Sequence, residues 1–216
     1  MRLLIFSALL VALAGSSEAA WERPEIKFSE GIRANLRDKG MIPTELVDRF
    51  ELQWPTDHDS WWRVGPFAEI RHNLDDGIVS RMELGGEIGV KPFTKIELPA
   101  PLRILQKPFS SFYLGNGFHE AWINPGRDHP EWEIRSVFSI PTSWKLPAGA
   151  VGLYALDEYT FDLDEGAGIR NEIGAGIQLP LLTDPFRLHL QLGWRHVDLV
   201  HELDNDQFEG ALQAQF

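Results

Sequence analysis

From Phe186 to Trp194 the side chains alternate without a break: Phe186, Leu188, Leu190, Leu192 and Trp194 against Arg187, His189, Gln191 and Gly193, with Arg195 following in the polar phase. A period of two is the mark of a strand with one apolar and one polar face, and a helix cannot use it. The last nine residues, Phe208 to Phe216 (FEGALQAQF), repeat the pattern. Phe208, Gly210, Leu212, Ala214 and Phe216 fall on one side, with Glu209, Ala211, Gln213 and Gln215 on the other. A tilted strand of about this length crosses a bilayer, so the end of the chain reads as the closing strand of an outer-membrane barrel.

Ten such segments run through the chain, separated by Pro, Gly, Asn and Asp clusters at hairpin spacing. They are Glu25 to Leu36, Glu45 to Trp54, Trp61 to Arg71, Ser80 to Lys91, Phe109 to Ile123, Glu131 to Ile140, Ala150 to Phe161, Gly168 to Leu179, Phe186 to Val197 and Phe208 to Phe216. The expected fold is an all-β, antiparallel up-and-down transmembrane barrel of ten strands. An even count returns both termini to the periplasm. Two segments leave an alternative open. Ser29 to Leu36 also fits a helix, because Phe28, Ile32 and Leu36 share helical spacing, which would give eight strands and an amphipathic N-terminal piece. Pro92 to Pro108 is too long for a periplasmic turn, and fits either a short interfacial helix around Leu102 to Gln106 or extensions of the neighbouring strands.

Alternation alone does not say which face is inside, since soluble barrels bury the apolar face and membrane barrels expose it. Three features favour lipid outside. Aromatic residues gather at strand ends as two girdles: Trp54, Trp62, Phe93, Phe109, Trp144, Phe186 and Phe216 at one rim, Trp122, Trp132, Tyr159, Phe161, Trp194 and Phe208 at the other. The polar faces mix charges with Gly85, Gly89, Gly174, Gly176 and Gly193, which suits a narrow lumen crowded by long side chains. The excess acid falls in the outer loops of this topology, at Asp75, Asp76, Asp128, Asp162, Asp164, Glu165, Asp198, Glu202, Asp204 and Asp206.

The start of the chain supports export. Met1 and Arg2 precede an apolar stretch, Leu3 to Ala14, and Ser17-Glu18-Ala19 supplies small residues where a signal peptidase reads, so residues 1–19 are expected to be a cleaved signal peptide and 20–216 the barrel. Beyond this leader no run approaches the roughly 18 apolar residues of a spanning helix, which excludes a helical membrane protein. The absence of cysteine excludes a lipid-anchored lipoprotein and any disulfide. A net charge of −12 argues against nucleic acid or anionic lipid as a partner, because both demand a basic face. The expected partners are outer-membrane lipid, lipopolysaccharide and, through the C-terminal strand, the barrel-assembly machinery.

Strand phase sends Arg63, Glu69, Arg71, Arg81, Glu83, Glu87, Lys91, Glu133, Arg135, Glu158, Arg170, Glu172, Arg187, Arg195 and Glu209 into the lumen. The two signs nearly balance. A ten-stranded interior is only a little wider than one that side chains fill, and an unpaired charge there is costly, so these groups are expected to pair across it. The simplest account is a structural ion-pair network; the functional alternative is a selective channel or a ligand cavity.

Leu156 to Leu179, LDEYTFDLDEGAGIRNEIGAGIQL, resembles a hairpin of a family of small Gram-negative outer-membrane barrels of unknown function. Gly193 to His196 (GWRH) and the terminal Phe216 fit the same pattern, and the matching positions are Asp157, Glu158, Arg170, Asn171, Glu172 and Arg195. The resemblance implies the fold and the membrane, and attaches no reaction. Two further chemistries have candidate residues. His196, Asp198, His201, Glu202, Asp204 and Asp206 offer imidazole and carboxylate to a divalent cation at an acidic outer loop, although the spacing matches no defined metal loop. Arg71-His72-Asn73 is similar to the Arg-His start of a lipid A deacylase, but no serine follows as nucleophile, and Ser110 and Ser111 are far along the strand from His119. A lipid-modifying acyl hydrolase or transferase and a soluble periplasmic binding barrel therefore stand as alternatives to an envelope-structural barrel or narrow transport pathway. No catalytic residue, metal site or cofactor is assigned.

Overall fold

A computed structural model describes residues 24–37, 40–54, 61–123, 126–199 and 205–216. The leader read over residues 1–19 lies outside them, as do His201, Glu202 and Asp204. Ten strands follow one another: β1 (Glu25–Arg37), β2 (Gly40–Gln53), β3 (Trp62–Asn73), β4 (Val79–Val90), β5 (Tyr113–Ile123), β6 (Arg127–Leu146), β7 (Gly149–Asp162), β8 (Ala167–Leu182), β9 (Arg187–Leu199) and β10 (Asn205–Gln215). Each pairs antiparallel with its neighbours in sequence, and β10 returns to β1 to close the barrel, setting Lys27 opposite Gln215 and Asn35 opposite Gln207. Phe216 N–H donates to the Ile26 carbonyl at 2.9 Å, so the pairing continues to the last residue. Closure leaves no edge strand, which removes the usual site of strand-to-strand aggregation.

The wall is inverted relative to a soluble protein. Among the described residues, the largest fully buried side chains are Glu131, Glu172 and Asp162. Leu192 is 41% exposed and Leu212 46%, and Phe28, Ile32, Met82, Ile88, Phe118 and Ile173 are likewise exposed on the outer face. Apolar outside and charged inside is the distribution of a barrel whose outer solvent is hydrocarbon. The strands span 11 to 20 residues, at or beyond the roughly 9–11 that a tilted crossing needs, so the longer strands project past an apolar band. Aromatic rings cluster where that band ends. Phe118, Trp132 and Phe161 stack in turn toward the loop rim and Tyr159 tilts against Phe161, while Phe186 lies on Phe216 at the terminus rim, with centroids 5.1 Å apart.

Four readings change. Ser29 to Leu36 is not helical: it belongs to β1, held by β2 on one side and β10 on the other, which removes the eight-stranded alternative. β6 is much longer than Glu131 to Ile140 because it runs through Pro130 and Pro141. A proline costs the ladder only its own N–H bond, and Pro141 sits where the register with β7 shifts, as Pro180 does between β8 and β9. The segment read as the start of the fifth strand winds instead: a 3₁₀ turn over Ala100–Leu105 leads into α1 (Gln106–Ser111), and β5 begins only at Tyr113. Helical winding sets Phe109 against Phe93 and leaves Phe112 against Phe138, a cluster that an extended chain would pull apart. Finally, Asp128, Asp198 and Asp206 lie on the outer faces of β6, β9 and β10 rather than in loops.

Inward glycines make room for two tyrosines. A side chain at Gly89 would collide with the Tyr113 phenol, and one at Gly193 with that of Tyr154, so these rings lie flat on the wall where it has no Cβ. Tyr113 and Tyr154 thereby occupy the lumen without filling it.

Candidate functional site

The candidate site is the lumen, and it has two unlike halves. Toward the loop rim, β3, β4, β5 and β6 each contribute inward side chains to one continuous lattice. Arg71 donates to Glu69 at 2.6 Å and to Glu83 at 3.2 Å, and Arg81 bridges Glu83 to Glu131. Glu131 also takes His119 Nε2 at 2.9 Å and His129 Nε2 at 2.7 Å. The lattice ends at Asp162, whose Oδ2 is 3.9 Å from His129 Nε2 and whose Oδ1 accepts the backbone N–H groups of Asp164 and Glu165 at 2.8 and 3.0 Å. Asp162 is thus not a loop acid, as its sequence position suggests, but a buried residue of β7 that ties the β7–β8 turn to the lattice beneath it.

Across the barrel a second lattice joins β1, β8, β9 and β10. Arg195 donates to Glu172 at 2.6 Å and lies 2.8 Å from Glu209, Arg170 also pairs with Glu172, and Arg33 reaches Glu209 at 3.3 Å. Arg49 Nη1 to Glu69 Oε2, at 3.2 Å, ties β2 to the first lattice. Burying so many charges is sustained only by dense pairing of this kind, because each ion taken from water costs several kcal/mol.

Toward the terminus rim the lumen is hollow. A cavity of about 550 Å³ reaches from Lys27, Gln53 and Lys91 at the rim up to Glu83, Glu133 and Arg135 beneath the lattice. Its wall is paired amide and charge: Gln178 donates to Gln213 at 3.2 Å, Gln213 to Gln191 at 2.5 Å, Lys27 to Gln53 at 2.8 Å, Arg49 to Glu51 at 2.6 Å and Arg135 to Glu87 at 2.6 Å, with the Tyr113 hydroxyl donating to the same carboxylate, and the lattice side chains Arg71, Glu83, Arg195 and Glu209 face it from above. The volume falls in the range of small-molecule sites, but such sites are mostly apolar, whereas this wall suits water.

The residues sorted inward by strand phase divide accordingly. Glu69, Arg71, Arg81, Glu83, Arg170, Glu172, Arg195 and Glu209 come together in the lattices, and Glu87 with Arg135 forms a separate pair. Arg63 donates to Gln53 at 3.2 Å near the rim, Glu133 and Glu158 face the cavity, and Glu158 sits opposite Arg135 in the register. Arg187 lies exposed where β9 begins. Sequence reasoning missed Arg33, Arg49, His119, His129 and Glu131. The signal for the last two was present: Glu131 opens the sixth segment in the odd-numbered phase of Glu133 and Arg135, and His129 continues that phase beyond Pro130.

The residues of the acyl-hydrolase alternative are pulled apart by the wall. Arg71 points into the lattice while its neighbour His72 points outward, its Nε2 3.8 Å from Asp48 Oδ2. His119 is held by Glu131 toward the loop rim, whereas Ser110 and Ser111 lie in α1 at the other end of β5. His196 and Asp206 pair at 3.1 Å on the outer surface, and among the described residues no three His, Asp or Glu side chains are grouped to hold a metal ion.

No protein-family profile and no curated protein sequence matches the chain. Solved structures do. The transport unit of the autotransporter AIDA-I from Escherichia coli is similar at 8% identity over 97% of both chains, with a TM-score of 0.43. The β-domain of the Bordetella autotransporter BrkA is similar at 11% identity over 90% of this chain and 98% of that one, TM-score 0.40. The translocator domain of autotransporter NalP from Neisseria meningitidis is similar at 7% identity over 100% of this chain and 95% of that one, TM-score 0.33. Likenesses this distant carry no information about activity.

Proposed function

We propose that this chain is an outer-membrane barrel with an envelope-structural role, related to the small Gram-negative barrels its β7–β8 hairpin resembles, and that its lumen is closed to solutes at the loop rim. The observation that carries the reading is the inverted wall: fully buried Glu131 and Glu172 inside, exposed Leu192 and Leu212 outside. Water on the outer face would leave that apolar surface unsatisfied, and an open pore would leave the lattice carboxylates solvated rather than buried. A narrow transport pathway is the second reading, supported by the hollow half of the lumen, and it requires the Arg81–Glu131 lattice to move.

Planar bilayers test the proposal. Purified protein inserted there is expected to hold a flat baseline across applied voltage. Stepwise conductance would replace it with the transport reading. Release of acyl chains from lipid A by the protein in detergent, abolished by His72→Ala, would replace it with an enzyme. Recovery of the protein in buffer after washed membranes are spun down would replace the membrane itself with a soluble barrel.

A further inference from the structure

The connection between β4 and β5 runs against the rest of the chain. Across residues 91–112 four bases, Lys91, Lys95, Arg103 and Lys107, meet one acid, Glu97, in a protein of net charge −12. Antiparallel neighbours need only a short turn, so most of this length is surplus to joining the strands. It is nevertheless well ordered by its own contacts. The Gln106 side chain donates to the Ile96 carbonyl at 2.7 Å and accepts the Leu98 N–H at 2.8 Å, cross-tying the two halves of the segment. Phe93 packs on Phe109 at 4.5 Å between centroids, and Ser139 N–H donates to Ser111 Oγ at 3.2 Å, fastening α1 to β6.

That order does not hide the apolar side chains. Ile96, Leu102 and Leu105 are 46%, 47% and 48% exposed, beside exposed Lys95 and Arg103. A segment fastened at both ends that still presents aliphatic groups among basic ones has the composition of an interfacial element, whose apolar face enters the acyl boundary while its bases meet headgroup phosphates. It lies at the terminus rim, where the Phe186–Phe216 pair marks the edge of the apolar band.

We propose that residues 92–112 form an in-plane anchor that docks onto anionic phospholipid headgroups at the terminus rim. The inference rests on the outer-membrane reading above. It also supplies an orientation: the acidic loop rim repels the lipid that the opposite rim attracts.

The absence of cysteine allows single labels on the full chain. Leu102→Cys, Leu192→Cys and Asp76→Cys, each spin-labelled and refolded into phosphatidylcholine vesicles containing phosphatidylglycerol, report depth through accessibility to oxygen and to a water-soluble nickel chelate. The label at 102 is expected at headgroup depth, between a lipid-buried 192 and an aqueous 76; Leu105→Cys is the substitute site if 102 does not refold. Adding Lys95→Gln or Arg103→Gln lowers the docked-to-free ratio by about fivefold for each base removed. A label at 102 as aqueous as that at 76, with 192 in lipid, overturns the anchor and spares the barrel. An aqueous 192 overturns the membrane reading itself, and charge variants without effect overturn the anionic partner.

Discussion

Glu131 is a carboxylate with no access to solvent, and three groups from three positions keep it there: Arg81 from β4, His119 from β5 and His129 from its own strand. The pairing is stabilising relative to a broken pair rather than relative to an apolar core, because removing one partner leaves the other charge buried and uncompensated. Arg81→Ala strips both Glu83 and Glu131 of a guanidinium and is expected to destabilise the barrel by about 3–5 kcal/mol. Arg103→Ala, on an exposed side chain outside the lattice, should stay within about 0.5 kcal/mol in pure phosphatidylcholine, where there is no anionic headgroup for that base to lose. Urea unfolding of the lipid-embedded protein measures both, and an Arg81→Ala loss no larger than that of Arg103→Ala would show that the lattice is incidental. At this scale Arg81 and Glu83 were legible from strand phase, since alternate residues share a face. Their partner Glu131 was legible only in position, not in role, because nothing in a linear pattern says which inward groups on different strands reach one another.

The strands themselves were legible because each carries its own period, independent of its neighbours. Reading failed where local chemistry competes with that period. β6 continues through two prolines because the strands on either side supply the remaining ladder bonds, and a sequence-local rule sees only the lost donor. Phe109 to Phe112 winds because Phe93 and Phe138 are placed to receive the rings, which is tertiary information. The middle of β9 offers a direct test of the face assignment, since Gln191 and Leu192 are adjacent in sequence and opposite across the wall. Leu192→Arg places a charge in the centre of the apolar band, where it is expected to cost about 2–4 kcal/mol. Gln191→Arg enters a polar cavity with room for it and should cost much less. The same unfolding measurement compares them, and the reverse order of losses would mean that water, not hydrocarbon, bathes the outer face.

Taken whole, the molecule is polarised along its axis. The loop rim carries exposed acids such as Asp75, Asp76, Asp164 and Glu165 above the charge lattices, while the terminus rim carries the basic, apolar β4–β5 connection beside the mouth of the cavity. A barrel closed at one end only should be reachable from one side only. Three single-cysteine variants separate the possibilities, with a membrane-impermeant thiol reagent as the probe. Asp76→Cys, in the exposed β3–β4 turn, is expected to react in intact cells. Gln213→Cys lines the cavity and should react only after the outer membrane is permeabilised and the reagent reaches the terminus rim. Ala121→Cys, fully buried beside the lattice on β5, should react in neither condition. Reaction of Gln213→Cys in intact cells at the rate of Asp76→Cys would require a continuous aqueous path past the two lattices, and with it charges that move apart; protection in intact cells with rapid reaction after permeabilisation locates the barrier at those lattices, Arg81 with Glu131 on one side of the lumen and Arg195 with Glu172 and Glu209 on the other.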